Sequence, residues 1–295
     1  MNANRKFKLT ADNYFSPEAS REYMSVSQYK AFLDCPARAM AEIRGEYKQP
    51  MTTALLVGSC VDAYFEGTLE KFKEEHPEIF KKDGTLKADY LQAEEIIKRI
   101  EADEFFMEYM SGKKQVIKTA KLFGADWKIK IDSYLSPGDV RRLVRKFPEA
   151  QKYFIEGCGA IDDLKIMRSL ERIMGKSFVE HWMYDLQMAV YSEVEYLANH
   201  KKNKQRLPTF LSVATKEEET DLEIIHIPHW RHEECLSEVE KNISRILAYK
   251  RGEIEPPRCG VCPYCRSTKI LTTPIDFEIV GFSNKELALI EGKVF

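Results

Sequence analysis

Cys158-Gly159-Ala160-Ile161-Asp162-Asp163-Leu164-Lys165 reads as a short buried strand that ends in charge. Successive strand side chains point to opposite faces, so Asp163 and Lys165 share one face and Asp162 takes the other. A carboxylate beside an ammonium at a strand end can hold a divalent cation and orient a water. Alone, a D-x-K triplet is what chance supplies in any charged protein, and an exposed ion pair explains it as well. Its company gives it weight: Asp132 upstream, Gln187 and Tyr191 downstream, and a cysteine cluster near the C-terminus.

Working outward, Lys118 to Lys121, Trp127 to Ile131 and Gly157 to Leu164 read as successive strands, with two-fold alternation clearest in Trp127-Lys128-Ile129-Lys130-Ile131-Asp132. Thr209 to Thr215 and Leu222 to Ile227 read as two more. Helices are expected from Ser27, as cap, through Leu33; from Ala37 to Ile43 after Pro36; and over Thr52 to Leu69, where Gly58 and Ser59 allow close packing and Asp62 sits inside an apolar face. Residues 70–112 read as charge-rich helix, Phe178 to Leu197 as one long amphipathic helix, and Glu233 to Tyr249 as another. Helices, a strand group, a helix, two strands and a helix make one α/β domain with a mixed sheet.

If Asp132 closes a strand that neighbours the Asp163 strand, the two carboxylates stand side by side at one end of the sheet. They repel, and a hard divalent cation with oxygen ligands, Mg²⁺ or Mn²⁺, relieves this. The Leu164 carbonyl is a candidate further ligand. Such an ion polarises a phosphodiester and acidifies a water, and Lys165 positions that water or stabilises charge at phosphorus. Gln187 and Tyr191 are four apart on one helix face, with Tyr184 beside them, placed to hold a DNA backbone or the attacking water.

Seven cysteines occur. Cys259, Cys262 and Cys265 form C-x-x-C-x-x-C, and Cys35, in a Cys-Pro pair after an early helix, is the candidate fourth ligand. Thiolates in this number suit an iron–sulfur cluster or zinc equally. Cys60, Cys158 and Cys235 read as packing residues. His226, His229 and His232 run across a strand end, Pro228 and a helix start, and read as surface histidines rather than a second metal site.

Apolar residues make up 44% and charged residues 31% of 295, and the formal net charge is −2. The chain is not broadly basic, so any nucleic-acid contact must come from local cations: Lys113-Lys114, Lys118, Lys121, Lys128, Lys130, Arg141-Arg142, Arg145-Lys146, or Lys201-Lys202 with Lys204. No apolar run is long enough to span a bilayer, and the N-terminus lacks the apolar core of a signal peptide, so a cytoplasmic location is expected.

Gly58-Ser59-Cys60-Val61-Asp62, Ile131-Asp132, Asp163-Leu164-Lys165 and Gln187-x-x-x-Tyr191 together resemble the PD-(D/E)xK nuclease superfamily in its RecB-like branch, above all the phage-type exodeoxyribonuclease VIII (RecE-like) group. Phe32-Leu33-Asp34-Cys35-Pro36 and Arg258 to Arg266 extend the match. The resemblance implies a restriction-endonuclease-like α/β core, its mixed central sheet flanked by helices. Residues 25–272 would form a single nuclease domain between a polar segment, 1–24, and a tail, 273–295. It implies an Mg²⁺-dependent exonuclease that degrades linear duplex DNA from its ends and leaves single-stranded tails for recombination. The catalytic residues would be Asp132, Asp163, Lys165, Gln187 and Tyr191; the metal ligands Asp62, Asp132, Asp163 and the Leu164 carbonyl. It implies a [4Fe–4S] cluster on Cys35, Cys259, Cys262 and Cys265, although the last cysteine spacing is shorter than is usual in those relatives and zinc stays open. A single-strand annealing protein as partner and a ring-like homo-oligomer are also implied. Many RecB-like members carry His where this chain has Asp62, which leaves that ligand the least secure. Two other readings compete: a non-catalytic nucleic-acid-binding subunit with a nuclease fold and a structural iron–sulfur or zinc site, and a zinc-ribbon interaction protein, which leaves the Asp and Gln/Tyr motifs unexplained. The apolar stretch Ile275 to Phe282 could pair with a neighbour or pack on its own domain.

Overall fold

A computed structural model describes residues 7–199 and 205–292. The basic run at Lys201, Lys202 and Lys204 lies outside them, as do residues 1–6 and 293–295.

Thirteen α-helices and five strands run along the described chain. First come α1 (Pro17–Glu22), α2 (Val26–Asp34), α3 (Pro36–Arg44), α4 (Thr53–Glu66), α5 (Leu69–Glu75), α6 (Ala88–Glu101) and α7 (Glu104–Tyr109). The hairpin β1 (Lys113–Leu122) and β2 (Ala125–Leu135) follows, then α8 (Pro137–Lys146), β3 (Ala160–Met167), α9 (Phe178–His181), α10 (Tyr184–Asn199), β4 (Thr209–Thr215) and β5 (Leu222–Ile227). The chain ends with α11 (His229–Arg251), α12 (Pro263–Ser267) and α13 (Asn284–Ile290). It divides into two compact units: residues 1–49, 121–127 and 238–295 form one, residues 50–120 and 128–237 the other.

The sheet runs in the order β1-β2-β3-β4-β5, and β3, β4 and β5 lie wholly in the second unit. β2 pairs antiparallel with β3 through Ser133–Asp162, Tyr134–Ile161 and Leu135–Ala160. β3 pairs parallel with β4, Asp163 beside Leu211 and Lys165 beside Val213, and β4 pairs antiparallel with β5. A parallel pair needs a crossover, and α9 and α10 supply it between β3 and β4. The sheet is therefore mixed and flanked by helices, as expected. Val57 and Val61 of α4 and Ile96 and Ile100 of α6 bury their apolar faces with Leu164 and Ala214 of the sheet. A second cluster joins Tyr109, Leu135, Leu143, Phe154 and Phe210. The entry of β3 is pinned: a Cβ on Gly159 would collide with the Leu135 carbonyl oxygen, so no side chain fits there. Gly58 is different. A Cβ there would stand 3.8 Å from Ile166, an ordinary contact, so α4 does not owe its packing to that glycine.

In the first unit Met24 bridges to Trp127, and Trp127 donates its indole N–H to the Leu122 carbonyl at 3.1 Å. Lys250 satisfies its ammonium on the carbonyls of Ser20 and Tyr23 and on Gln28 Oε1, each at 3.0 Å.

Several element bounds differ from the sequence reading. Ser25, not Ser27, caps α2: its backbone is extended and its hydroxyl accepts from the Gln28 N–H, while Ser27 already lies in the first turn. Asp132 does not close β2, which runs on to Leu135, and the Asp163/Lys165 pair lies inside β3, which pairs as far as Met167–Thr215. The expected long helix over 178–197 is broken where Met183 takes φ +52, splitting it into α9 and α10. His232 is not on the surface. It is buried, its Nε2 2.9 Å from Thr209 Oγ1.

Candidate functional site

The β2–β3 ladder ends at Ser133–Asp162, and Asp132 and Asp163 are the next residues on the two strands. Asp132 Oδ2 accepts the Leu164 N–H at 3.2 Å. Asp163, 2% exposed, is held on both oxygens: Oδ2 pairs with the Lys165 ammonium, and Oδ1 accepts from Gln187 Nε2 at 2.8 Å. Lys165 Nζ also lies 3.3 Å from the Leu164 carbonyl oxygen and 5.1 Å from the centre of the Tyr184 ring. Tyr184 and Gln187 stand in the first turn of α10, and Tyr191 follows Gln187 by one turn on the same helix, half-buried. On the other face of β3, Asp162 is fully buried and accepts from Ser212 Oγ at 2.8 Å. Strand alternation thus separates the doublet into one core acid and one acid beside Lys165.

Asp62, on α4, lines a cavity of about 10 Å³ with Glu66, Lys114, Gln115, Asp132 and Leu164, room for roughly one ion or one water. Burial pushes the Asp62 carboxyl up to about 7, with Asp163 and Glu66 adding to the rise and Lys165 opposing it. Asp132 is raised well above the usual carboxylate range, first by burial, then by Asp163. Lys165 keeps its proton: Asp163 and Asp132 outweigh the burial that would remove it. Ionising both acids would therefore place more negative charge in the cavity than one firmly charged lysine offsets, and without a cation they keep protons instead.

Two residues of this cavity escape the sequence reading. Gln115 Nε2 donates to Glu66 Oε1 at 2.5 Å and to Asp132 Oδ1 at 3.2 Å, while its buried Oε1 has no partner among the described residues. Its backbone is left-handed, φ +53, unusual for a side chain other than glycine. Glu66 lies one turn after Asp62 and so shares its helix face; that four-residue spacing was legible. Nothing in the sequence marks the backbone of Gln115.

The other centre lies in the first unit. Cys35, Cys259, Cys262 and Cys265 are all buried, and their four sulfurs lie within 4.8 Å of one another. Cys35 Sγ is 3.6 Å and Cys259 Sγ 3.8 Å from Cys265 Sγ, so these are thiols and not disulfides. Cys35 sits at the α2–α3 junction, where Pro36 starts the second helix. The Cys262 N–H donates to Cys259 Sγ and the Cys265 N–H to Cys262 Sγ, at 3.3 and 3.4 Å. Burial raises the Cys35 and Cys262 thiols; at Cys259 it is outweighed by the N–H groups of Cys262 and Val261, which favour the thiolate. A buried four-thiol set with N–H donors aimed at sulfur fits a four-thiolate metal centre, iron–sulfur or zinc.

Several residues of the basic runs are engaged within the fold. Arg142 pairs with Glu108 and Asp139, and Lys146 with Glu104 and Glu108. Lys118 donates to Asn199, Lys114 to the Met110 carbonyl, and Lys128 is buried. Among the described residues no helix is long and apolar enough to cross a membrane.

A family profile described as a PDDEXK-like domain of unknown function (DUF3799) matches residues 25–140 and 154–268. A crystal structure from Eubacterium rectale, named "Putative exonuclease", is similar over 93% of this chain and 99% of its own, with 44% sequence identity and a TM-score of 0.80. No curated protein matches the chain.

Proposed function

This chain belongs to the PDDEXK-like family, and from that premise we propose that it is an Mg²⁺- or Mn²⁺-dependent nuclease whose centre is Asp62, Asp132, Asp163 and Lys165. The observation that carries the reading is the pair Asp62 and Asp132: two half-buried carboxyls, both raised in pKa, around a cavity the size of one ion and next to a charged lysine. That charge imbalance is what a hard cation relieves. Asp62, Asp132, Asp163 and the Leu164 carbonyl would hold the ion, and Glu66 lines the same cavity. When bound, the ion would supply Lewis acidity towards a phosphodiester and its water.

The chain's own residues do the rest. Asp132 fixes the Leu164 N–H and so the backbone that presents the Leu164 carbonyl. Gln187 orients Asp163 from one side while Lys165 neutralises it from the other. Lys165, its ammonium 5.1 Å from the centre of the Tyr184 ring, would stabilise charge at the phosphorus or position the attacking water. Tyr191 would extend the α10 face towards the DNA backbone. The substrate proposed is linear duplex DNA digested from its ends, in the manner of the RecE-like group, leaving single-stranded tails for an annealing partner. A ring-like homo-oligomer would suit such digestion. The name of the Eubacterium rectale relative supports exonuclease action.

A second reading has its own observation. The four-cysteine centre is fully assembled and needs no catalysis, while Asp163 is already engaged on both oxygens by Lys165 and Gln187. A non-catalytic nucleic-acid-binding subunit with a nuclease fold and a structural metal would look the same there.

Incubation with end-labelled linear duplex DNA separates the two. The nuclease reading expects nucleotide release that needs Mg²⁺ or Mn²⁺ and falls at least about 100-fold in Lys165→Ala, the usual scale for losing one charge-stabilising group. No metal-dependent release, or equal release by the variant, would favour the non-catalytic subunit.

A further inference from the structure

We propose that Cys35, Cys259, Cys262 and Cys265 are built around one tetrahedral zinc ion and not around an iron–sulfur cluster. The proposal stands apart from the nuclease reading, since it concerns only the first unit.

The distances between sulfurs carry it. Zinc–thiolate bonds are about 2.3 Å, and the edge of a tetrahedron is about 1.63 times its radius, so four thiolates on one ion stand about 3.8 Å apart. Cys35–Cys265 is 3.6 Å and Cys259–Cys265 is 3.8 Å, and all pairs lie within 4.8 Å. In a four-iron cluster each cysteine binds a different iron. An iron–iron edge then separates every pair of ligand sulfurs, and the whole iron–sulfide core must fit between them. The space between these four sulfurs suits one ion.

The surroundings agree. Four thiolates around a divalent ion leave a net charge of −2, which needs cations nearby. Arg38, 9% exposed and ion-paired with Asp34 and Glu42, also interacts electrostatically with Cys262 and Cys35, and Arg258 donates to the Cys265 carbonyl at 3.0 Å. The protein supplies all four ligands and buries them with Ala37, which describes a closed structural zinc site with no position for substrate. A single ferrous ion would fit the same tetrahedron, but thiolate sites prefer zinc to ferrous iron in the general order of divalent affinities.

The full chain, purified both in air and without oxygen from medium supplied with iron and zinc, tests this by metal and sulfide analysis. The expected result is about one zinc per chain in both preparations, no acid-labile sulfide and no brown colour. Exchange with Co²⁺ should give the visible bands of tetrahedral cobalt thiolate. Cys262→Ser should hold less than about one-tenth of the zinc, while Cys158→Ser, outside the centre, keeps all of it. About four irons with sulfide in the oxygen-free preparation would overturn the proposal, as would one iron or no metal. If Cys262→Ser does not fold, the stoichiometry and the cobalt spectrum of the unaltered chain still decide.

Discussion

One amide ties two acids together at the candidate centre. Gln115 donates to Glu66 and Asp132, so it sets where the Asp132 carboxylate points. If Asp132 holds the ion, Gln115→Ala should raise the Mg²⁺ concentration for half-maximal nuclease activity by about 10-fold, the usual range for a group behind a ligand. Unchanged metal dependence in that variant would show that Gln115 positions nothing. The raised carboxyls make a second prediction. In the unfolded chain Asp titrates near 3.9, whereas burial pushes Asp62 up to about 7 and also raises Asp132 well above the usual carboxylate range. Between about pH 4 and 7 the folded state therefore keeps protons that the unfolded state has released, and stability falls as pH rises across that window. Urea midpoints without added divalent metal should show this decline; in Asp62→Asn it should be shallower, and an unchanged slope would remove Asp62 from the account. Asp163 and Lys165 were legible because alternation is a property of any strand. The cost of burying Asp62 and Asp132 was not, because it arises from neighbours brought in from separate elements.

The order of elements was readable, and β4 and β5 were bounded correctly by their β-branched runs between polar turns. The bounds of β2 and β3 were not. A charged residue looks like a strand end, yet β3 carries Lys165 in mid-strand because Asp163 answers its charge two residues away on the same face. The break between α9 and α10 was also hidden, since Met183 carries no local mark of a left-handed turn. Gly159 gives the prediction at this scale. With the Leu135 carbonyl oxygen where its Cβ would go, Gly159→Ala must push β3 away from β2 at the pair Leu135–Ala160. Destabilisation of roughly 1–3 kcal/mol is expected in chemical denaturation, as for other overpacked core positions. Gly58→Ala, with ordinary contact distance, should stay within about 0.5 kcal/mol of the parent apart from its gain in helix propensity.

For the molecule as a whole, the spacing of the three late cysteines was enough to point to a set of thiols that could hold a metal. Cys35 joins it from more than two hundred residues away because the α2–α3 turn exposes its thiol to the C-terminal loop. Stripping that centre with a thiol-competing chelator should lower Tm by roughly 5–10 °C, restored on reloading, because a ligand that binds only the folded state adds directly to stability. An unchanged melt would mean the centre is not structural. The tail was harder to read: Phe277 and Val280 are exposed, yet Asn284 holds the cysteine loop, its N–H on the Cys259 carbonyl and its amide on the Arg258 carbonyl, both at 2.8 Å. That latch works in two directions. Whatever the metal does to order the tail, the tail must do, in equal free energy, to hold the metal. Loss of the ion should then be registered far along the chain as protease-accessible peptide bonds around α13, and clipping the tail should loosen the ion in return.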